Sequence, residues 1–352
     1  MIAKIFHSEN TNLLQLSKKS PSIVHFVRKL IFCTRSSILI ALIDLETRSF
    51  SINIKWQSDA MTAAGGNDIG SKLNQLNLPW NIDFDEDKTI YIADRFNHRV
   101  IAWDKDATSG RVVAGGNGRG NRNNQLNEPM KVIVDTLNDC LIIADYGNKR
   151  IVRWPRRNGT THGETILNNI QCSNVILYRN MYLYVSDEIN HDIKRFEIDG
   201  SQGVVVAGGN GPGNKLNQCS NPQFIHIDGD ETVYVSDRRN HRVMKWLKGA
   251  KEGIIVAGEQ GQGNSLKQLS RPSGIFVDKL GTLYVADAGN HRIIRWLKNA
   301  KEGRIIAGGN GYGTQANQFN DPINFSFDDD DNIYVVDSEN NRIQKFLLDN
   351  NC

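Results

Sequence analysis

The chain has 352 residues, 39% of them hydrophobic and 23% charged, with a net charge of +3; this is enough apolar content to bury a core and too little charge for a disordered tail. Its 31 glycines against eight prolines and six tryptophans favour many tight turns joining short strands over long helices. The five cysteines, at 33, 140, 172, 219 and 352, form no Cys-x-x-Cys pair, so neither a zinc module nor a disulfide framework is read from them, and a reducing, cytoplasmic setting is expected.

Residues 1–59 read as a basic leader. The first sixty positions carry eight Lys and Arg against four acids, which leaves the rest of the chain near −1. The longest apolar run there, residues 38–43, falls far short of the roughly 20 residues that cross a bilayer. It also begins too deep in the chain for a cleaved secretory signal, and the leader's residues assign it no role.

Beyond the leader the chain repeats itself. YIADRFNHRVIAW at 91–103 returns as YVSDRRNHRVMKW at 234–246 and as YVADAGNHRIIRW at 284–296. The aspartate inside this phrase recurs as Asp94, Asp145, Asp187, Asp237, Asp287 and Asp337, at spacings of 51, 42, 50, 50 and 50 residues, which is the period of a repeat architecture. Each copy holds four short apolar runs, in the fifth copy 274–277, 282–286, 292–296 and 304–307, named A to D here. Runs of this length rich in Val, Ile, Tyr and Trp between Gly, Asn and Asp turns are strands. Four antiparallel strands repeated around an axis leave only short sheet edges, as in a β-propeller.

The last copy stops at strand C, residues 342–346, and a matching strand D stands instead at 61–64, followed by Gly65 and Gly66. The expectation is therefore an all-β, six-bladed β-propeller of four-stranded antiparallel blades over residues 60–347, closed by that N-terminal strand. Residues 348–352 read as a short tail.

Asn97-His98-Arg99, Asn240-His241-Arg242 and Asn290-His291-Arg292 resemble the motif of the NHL-repeat six-bladed propellers, and the likeness covers residues 61–347. Blades 2, 3 and 6 depart as Asn148-Lys149-Arg150, Asn190-His191-Asp192 and Asn340-Asn341-Arg342, which marks blade 3 as irregular. The resemblance implies a non-catalytic interaction module that recognises a protein partner. Single-stranded RNA binding is the first alternative, and a substrate-recognition role in ubiquitin ligation is the second, because such propellers often follow a RING finger. With Cys33 the one cysteine among the first 139 residues, a RING cannot be built here, so that link would run through a partner.

A residue required in every blade is required by the ring, and the repeated Asp, Asn and Arg read as turn and ion-pair structure. His98, His191, His241 and His291 fall on separate blades, too far apart to share a metal. No catalytic cluster, metal or cofactor is assigned. Function is expected where the repeats disagree, on the face carrying the D–A loops and B–C turns. That binding face comprises Trp80, Arg95, Phe96, Lys131, Tyr146, Phe224, Arg238 and Arg239, residue types that anchor protein interfaces and stacked bases. A second set, Asn81, Asp83, Asn174, His226, Asn324 and Ser326, lies on the innermost strands and is expected to line a solvated central channel.

Arg150, Arg153, Arg156 and Arg157 form a local basic cluster that keeps RNA in view, while the acid run at 328–331 reads as a solvated turn on the opposite face rather than a calcium site. The partners expected are proteins first, RNA as the alternative, no DNA and no membrane span, on a monomeric ring.

Overall fold

The computed structural model describes residues 48–51, 53–156, 161–198 and 200–349; most of the basic leader, and Arg157 of the basic cluster, lie outside them. Within the described residues the chain forms six separate four-stranded antiparallel sheets. In blade 1 the strands A to D are Pro79–Phe84, Ile90–Asp94, Arg99–Trp103 and Arg111–Gly115. Every strand B residue of this blade is buried, because each blade is covered on both faces by its neighbours and alternation between wet and dry faces disappears. Strand D, on the rim, begins exposed and turns inward only towards its end.

The ring closes as its sequence leads one to expect. Met61–Gly65 is the outermost strand of blade 6 and pairs with Arg342–Phe346, placing Met61 opposite Lys345 and Gly65 opposite Arg342. The C–D ladder slips register in this blade between Thr62 and Ala64, and the other blades slip at the corresponding place, for example between Val100 and Ile101 or Ile293 and Ile294. A bulge bends the strand and increases its twist. At its end the glycine reaches the next turn through positive φ: at Gly308, φ +68°, a Cβ would stand 2.6 Å from the His291 carbonyl oxygen. Only glycine fits there.

The core lies between blades rather than within them. Tyr91, Val100 and Leu126 pack with Val132, Ile143 and Trp154 of the next blade. The chain ahead of the closing strand joins the same kind of packing. Phe50 and Trp56 are buried, with the Phe50 ring 4.7 Å from Phe327 and 5.6 Å from Tyr284. The Trp56 indole N–H donates to the Asp331 carbonyl at 2.7 Å, and Arg48 pairs with Asp331 at 2.8 Å and Asp329 at 3.2 Å. The acid run at the A–B turn of blade 6 is thus a docking point for the chain's own upstream segment, and Lys88 adds a further cation at 2.6 Å from Asp330. The contacts of the ring begin upstream of residue 60.

Blade 3 is irregular for an electrostatic reason. Asp192 occupies the place of the motif arginine, so Lys194 reaches across to Asp187 at 2.7 Å instead. Burial pushes the Asp192 carboxyl up to about 6, with Lys194 opposing and Asp187 adding to the shift. A carboxyl raised on folding penalises the fold above that pH, and the penalty fades as pH falls towards the ordinary value near 4. Asp192→Asn is therefore expected to stabilise the protein by about 2–3 kcal/mol at pH 7, and the gain should vanish near pH 4; urea unfolding at the two pH values measures it.

Candidate recognition face and central channel

The repeated motif is spent on the ring itself. In blade 1, Asp94 accepts the Asn77 N–H at 2.8 Å, the Asn97 amide at 2.8 Å and Arg99 Nε at 2.7 Å. Asn97 also donates to the Gly70 carbonyl, and the Arg99 fork reaches the carbonyls of Ser71, Lys72 and Gln75. One carboxylate, one amide and one guanidinium thereby fasten the D–A loop to its blade, and the pattern recurs at Asp287, Asn290 and Arg292. The fork geometry of arginine suits this several-fold donation.

The histidines do a separate job. His98 Nδ1 accepts the Glu128 N–H at 3.2 Å, His241 Nδ1 that of Arg271 at 3.0 Å, and His191 and His291 do the same for Asn221 and Asp321. Asn341 replaces histidine in blade 6 and its Oδ1 accepts the Leu78 N–H at 2.8 Å. Each acceptor thus latches its blade to the residue that precedes the next strand A, and those residues all hold positive φ, between 48° and 55°. Sequence spacing alone did not disclose this inter-blade latch; its signal was the recurrence of an Nδ1 or Oδ1 acceptor at one position.

B–C turns and D–A loops share one face, as the backbone bonds from Phe96 to Asn77, Arg239 to Ser220 and Gly289 to Ser270 show. On that face the Arg95 guanidinium lies 4.7 Å from the ring centres of both Trp80 and Phe96 and pairs with Glu128 at 2.7 Å. Arg238 turns inward to Ser273 at 2.6 Å and Gln223 at 3.0 Å, whereas Arg239 is exposed. Tyr146 is half-buried; burial, and then Glu188, raise its phenol above the ordinary value, so it is a neutral donor and acceptor. Phe96 is 38% exposed and Ile189 56%.

Two of the expected face residues are not on the surface. Trp80 and Phe224 are buried with Met130 and Ile323 in one apolar cluster. The reason is positional: both stand at the start of strand A, the innermost strand, where a large apolar side chain is buried. Lys131 belongs with the channel too. Burial lowers its ammonium pKa, and Asp83 partly offsets the shift.

The expected channel residues do come together on strand A. Asn81 accepts the Val132 N–H at 3.1 Å and Asp83 the Val134 N–H at 2.8 Å, so both brace the neighbouring blade. Burial pushes His226 down to about 4, leaving it neutral, with its ring 5.3 Å from Phe276. Asn174 and Asn324 are buried and Ser326 is half-buried.

The basic cluster is dismantled by ion pairing. Arg150 is buried on Asp145 at 2.7 Å, and Arg156 is buried among Asp139, Glu86 and Asp85 at 2.9, 3.1 and 3.4 Å. These guanidinium groups are committed to the fold and do not present a basic patch. Among the described residues no helix is long and apolar enough to cross a membrane.

Six four-stranded blades, with the D–A loop fastened by an Asp-Asn-Arg set in five of them, define a six-bladed β-propeller. The NHL repeat family model matches two stretches of the chain, residues 269–296 and 319–346. None of the curated proteins matches the chain. Among solved structures it is similar to an auxiliary nutrient binding protein from Bacteroides thetaiotaomicron, at 16% identity and TM-score 0.64, covering 86% of this chain and 78% of that one. It is also similar to a gluconolactonase from Xanthomonas campestris, at 15% identity and TM-score 0.57, covering 86% and 99%, and to virginiamycin B lyase from Staphylococcus aureus, at 13% identity and TM-score 0.53, covering 84% and 100%. At these identities the likeness is one of fold.

Proposed function

We propose that the chain is a non-catalytic binding module whose D–A and B–C loop face recognises a protein partner, with Arg95, Phe96, Tyr146 and Arg239 at its centre. The observation that carries this reading is the division of labour between repeated and unrepeated residues: the motif side chains are consumed inside the ring, while Phe96, Ile189 and Arg239 remain exposed on B–C turns. Aromatic and arginine side chains on a rigid frame supply interface anchors at low entropic cost. The burial of Arg150 and Arg156 weighs against RNA, whose binding depends on accessible cations. A nutrient binding protein shares the fold, which is in keeping with recognition by a propeller surface.

The test is affinity capture with the full chain in the presence of ribonuclease, beside a Phe96→Ala/Arg239→Glu variant. A partner recovered by the parent and lost at least tenfold by the variant, with its thermal unfolding unchanged, is the expected result. Recovery that the variant leaves intact, or that ribonuclease abolishes, would overturn the reading.

A further inference from the structure

The axis of the ring gathers polar groups that the ring leaves without partners. Strand A is innermost, so the surface its side chains expose faces the axis. One level of the channel is formed by Asn81, Lys131, Asn174, Phe224, Gly274 and Asn324, and the next by Asp83, Ile133, Ile176, His226, Phe276 and Ser326. All six residues of the second level are half-buried, whereas in the first level only Lys131 is. Beyond the first level, one residue nearer the loop face, stand Trp80, Met130 and Ile323, buried in one apolar cluster with Phe224 of that level. The channel is therefore blind at the loop face and accessible from the A–B turns.

Unsatisfied atoms collect at the blind end. Asn81, wholly buried, has its Oδ1 fixed by the Val132 N–H, which leaves Nδ2 as a donor with no acceptor. Asn174, 3% exposed, has an unpartnered Oδ1, and the Trp80 indole N–H is also unpartnered. Lys131 makes no ion pair within 4 Å among the described residues, and its compensating charge is Asp83, one level away. Buried donors without acceptors are costly to a fold, and a half-buried ammonium without a touching carboxylate leaves a positive charge open to an anion, so together they call for an occupant.

We propose that this blind channel binds a small monoanionic organic carboxylate, whose two oxygens meet the Lys131 ammonium and the Asn81 amide while its apolar portion lies along Ile133, Ile176 and Phe276. An ammonium and an amide N–H supply the donors that a carboxylate accepts. One cation with Asp83 beyond it favours a single negative charge over a phosphate dianion. Asn174 Oδ1 leaves an acceptor for a hydroxyl group next to the carboxylate.

Calorimetric titration of the full chain with butyrate, 2-hydroxybutyrate, butyramide and inorganic phosphate tests this, beside Lys131→Met. The expected result is saturable binding of at least one of the acids, weakened at least tenfold in Lys131→Met, with butyramide and phosphate not binding. Should the variant fail to fold, the contrast between the acids and neutral butyramide on the parent chain decides alone. Failure of both acids to bind, equal binding by the variant, or binding of butyramide or phosphate as tight as that of the acids would overturn the assignment.

Discussion

A chain beginning at residue 66 should lose the cooperative thermal transition of the full protein, whereas one beginning at residue 60 should keep a single transition at lower temperature. The first cut removes Met61–Gly65 and with it the outer strand of blade 6. It exposes the Arg342–Phe346 ladder as an open edge and strips Ala64 from the cluster it shares with Leu76, Ile82 and Val336. The second cut spares the strand but takes Phe50 and Trp56, two buried aromatic side chains, each contributing about 1.5–3 kcal/mol of apolar burial. Differential scanning calorimetry of the three chains separates the cases. If the chain starting at 66 melts like the full protein, the ring is closed by something other than this strand.

Asp287→Ala should destabilise the protein by about 3–5 kcal/mol, the cost of leaving a buried charge without its partner. The carboxylate is fully buried; its loss would strand Arg292 Nε, the Asn290 amide and the Ser270 N–H, all within 2.7 Å of it. Asp330→Ala, which breaks an equally short pair with Lys88 at an exposed turn, should change stability by no more than about 0.5 kcal/mol. Urea unfolding of both variants measures the difference. A loss under 1 kcal/mol at Asp287 would mean that the loop is held by its backbone bonds alone.

The ring was legible in the sequence because its energetics are periodic. An Asp, an Asn and an Arg had to recur at one spacing to fasten the D–A loops of five blades, and the D-like residues 61–64 stood out as a strand with no blade of their own. The face was read less well, because the variable positions at the start of strand A do not say how far inward they point. Trp80 and Phe224 look like exposed anchors in the text of the chain and are part of one buried apolar cluster in space, since the first turn into the innermost strand converges on the axis from several blades at once. Lys131 shares that geometry. The counter-charges of the face, Glu128 on Arg95 and Glu188 near Tyr146, went unread because they belong to the neighbouring blade. Arg150 and Arg156 form a cluster only along the chain; strand pairing sends them to different carboxylates.

The position of the closing strand also sets a timetable. Met61 meets Lys345 across the ladder, a loop closure of about 280 residues, and the Asn341 latch on Leu78 spans nearly as much. At roughly 5–20 residues per second of synthesis, the first strand waits on the order of 15–60 s for its partner, with its edge unpaired. Blades 1 to 5 can each form from their own four consecutive strands in that interval, so the slow, high-contact-order event is the final clasp. Until then the nascent protein is an open arc with a free edge at each end, the stage at which a chaperone or a second arc would find it.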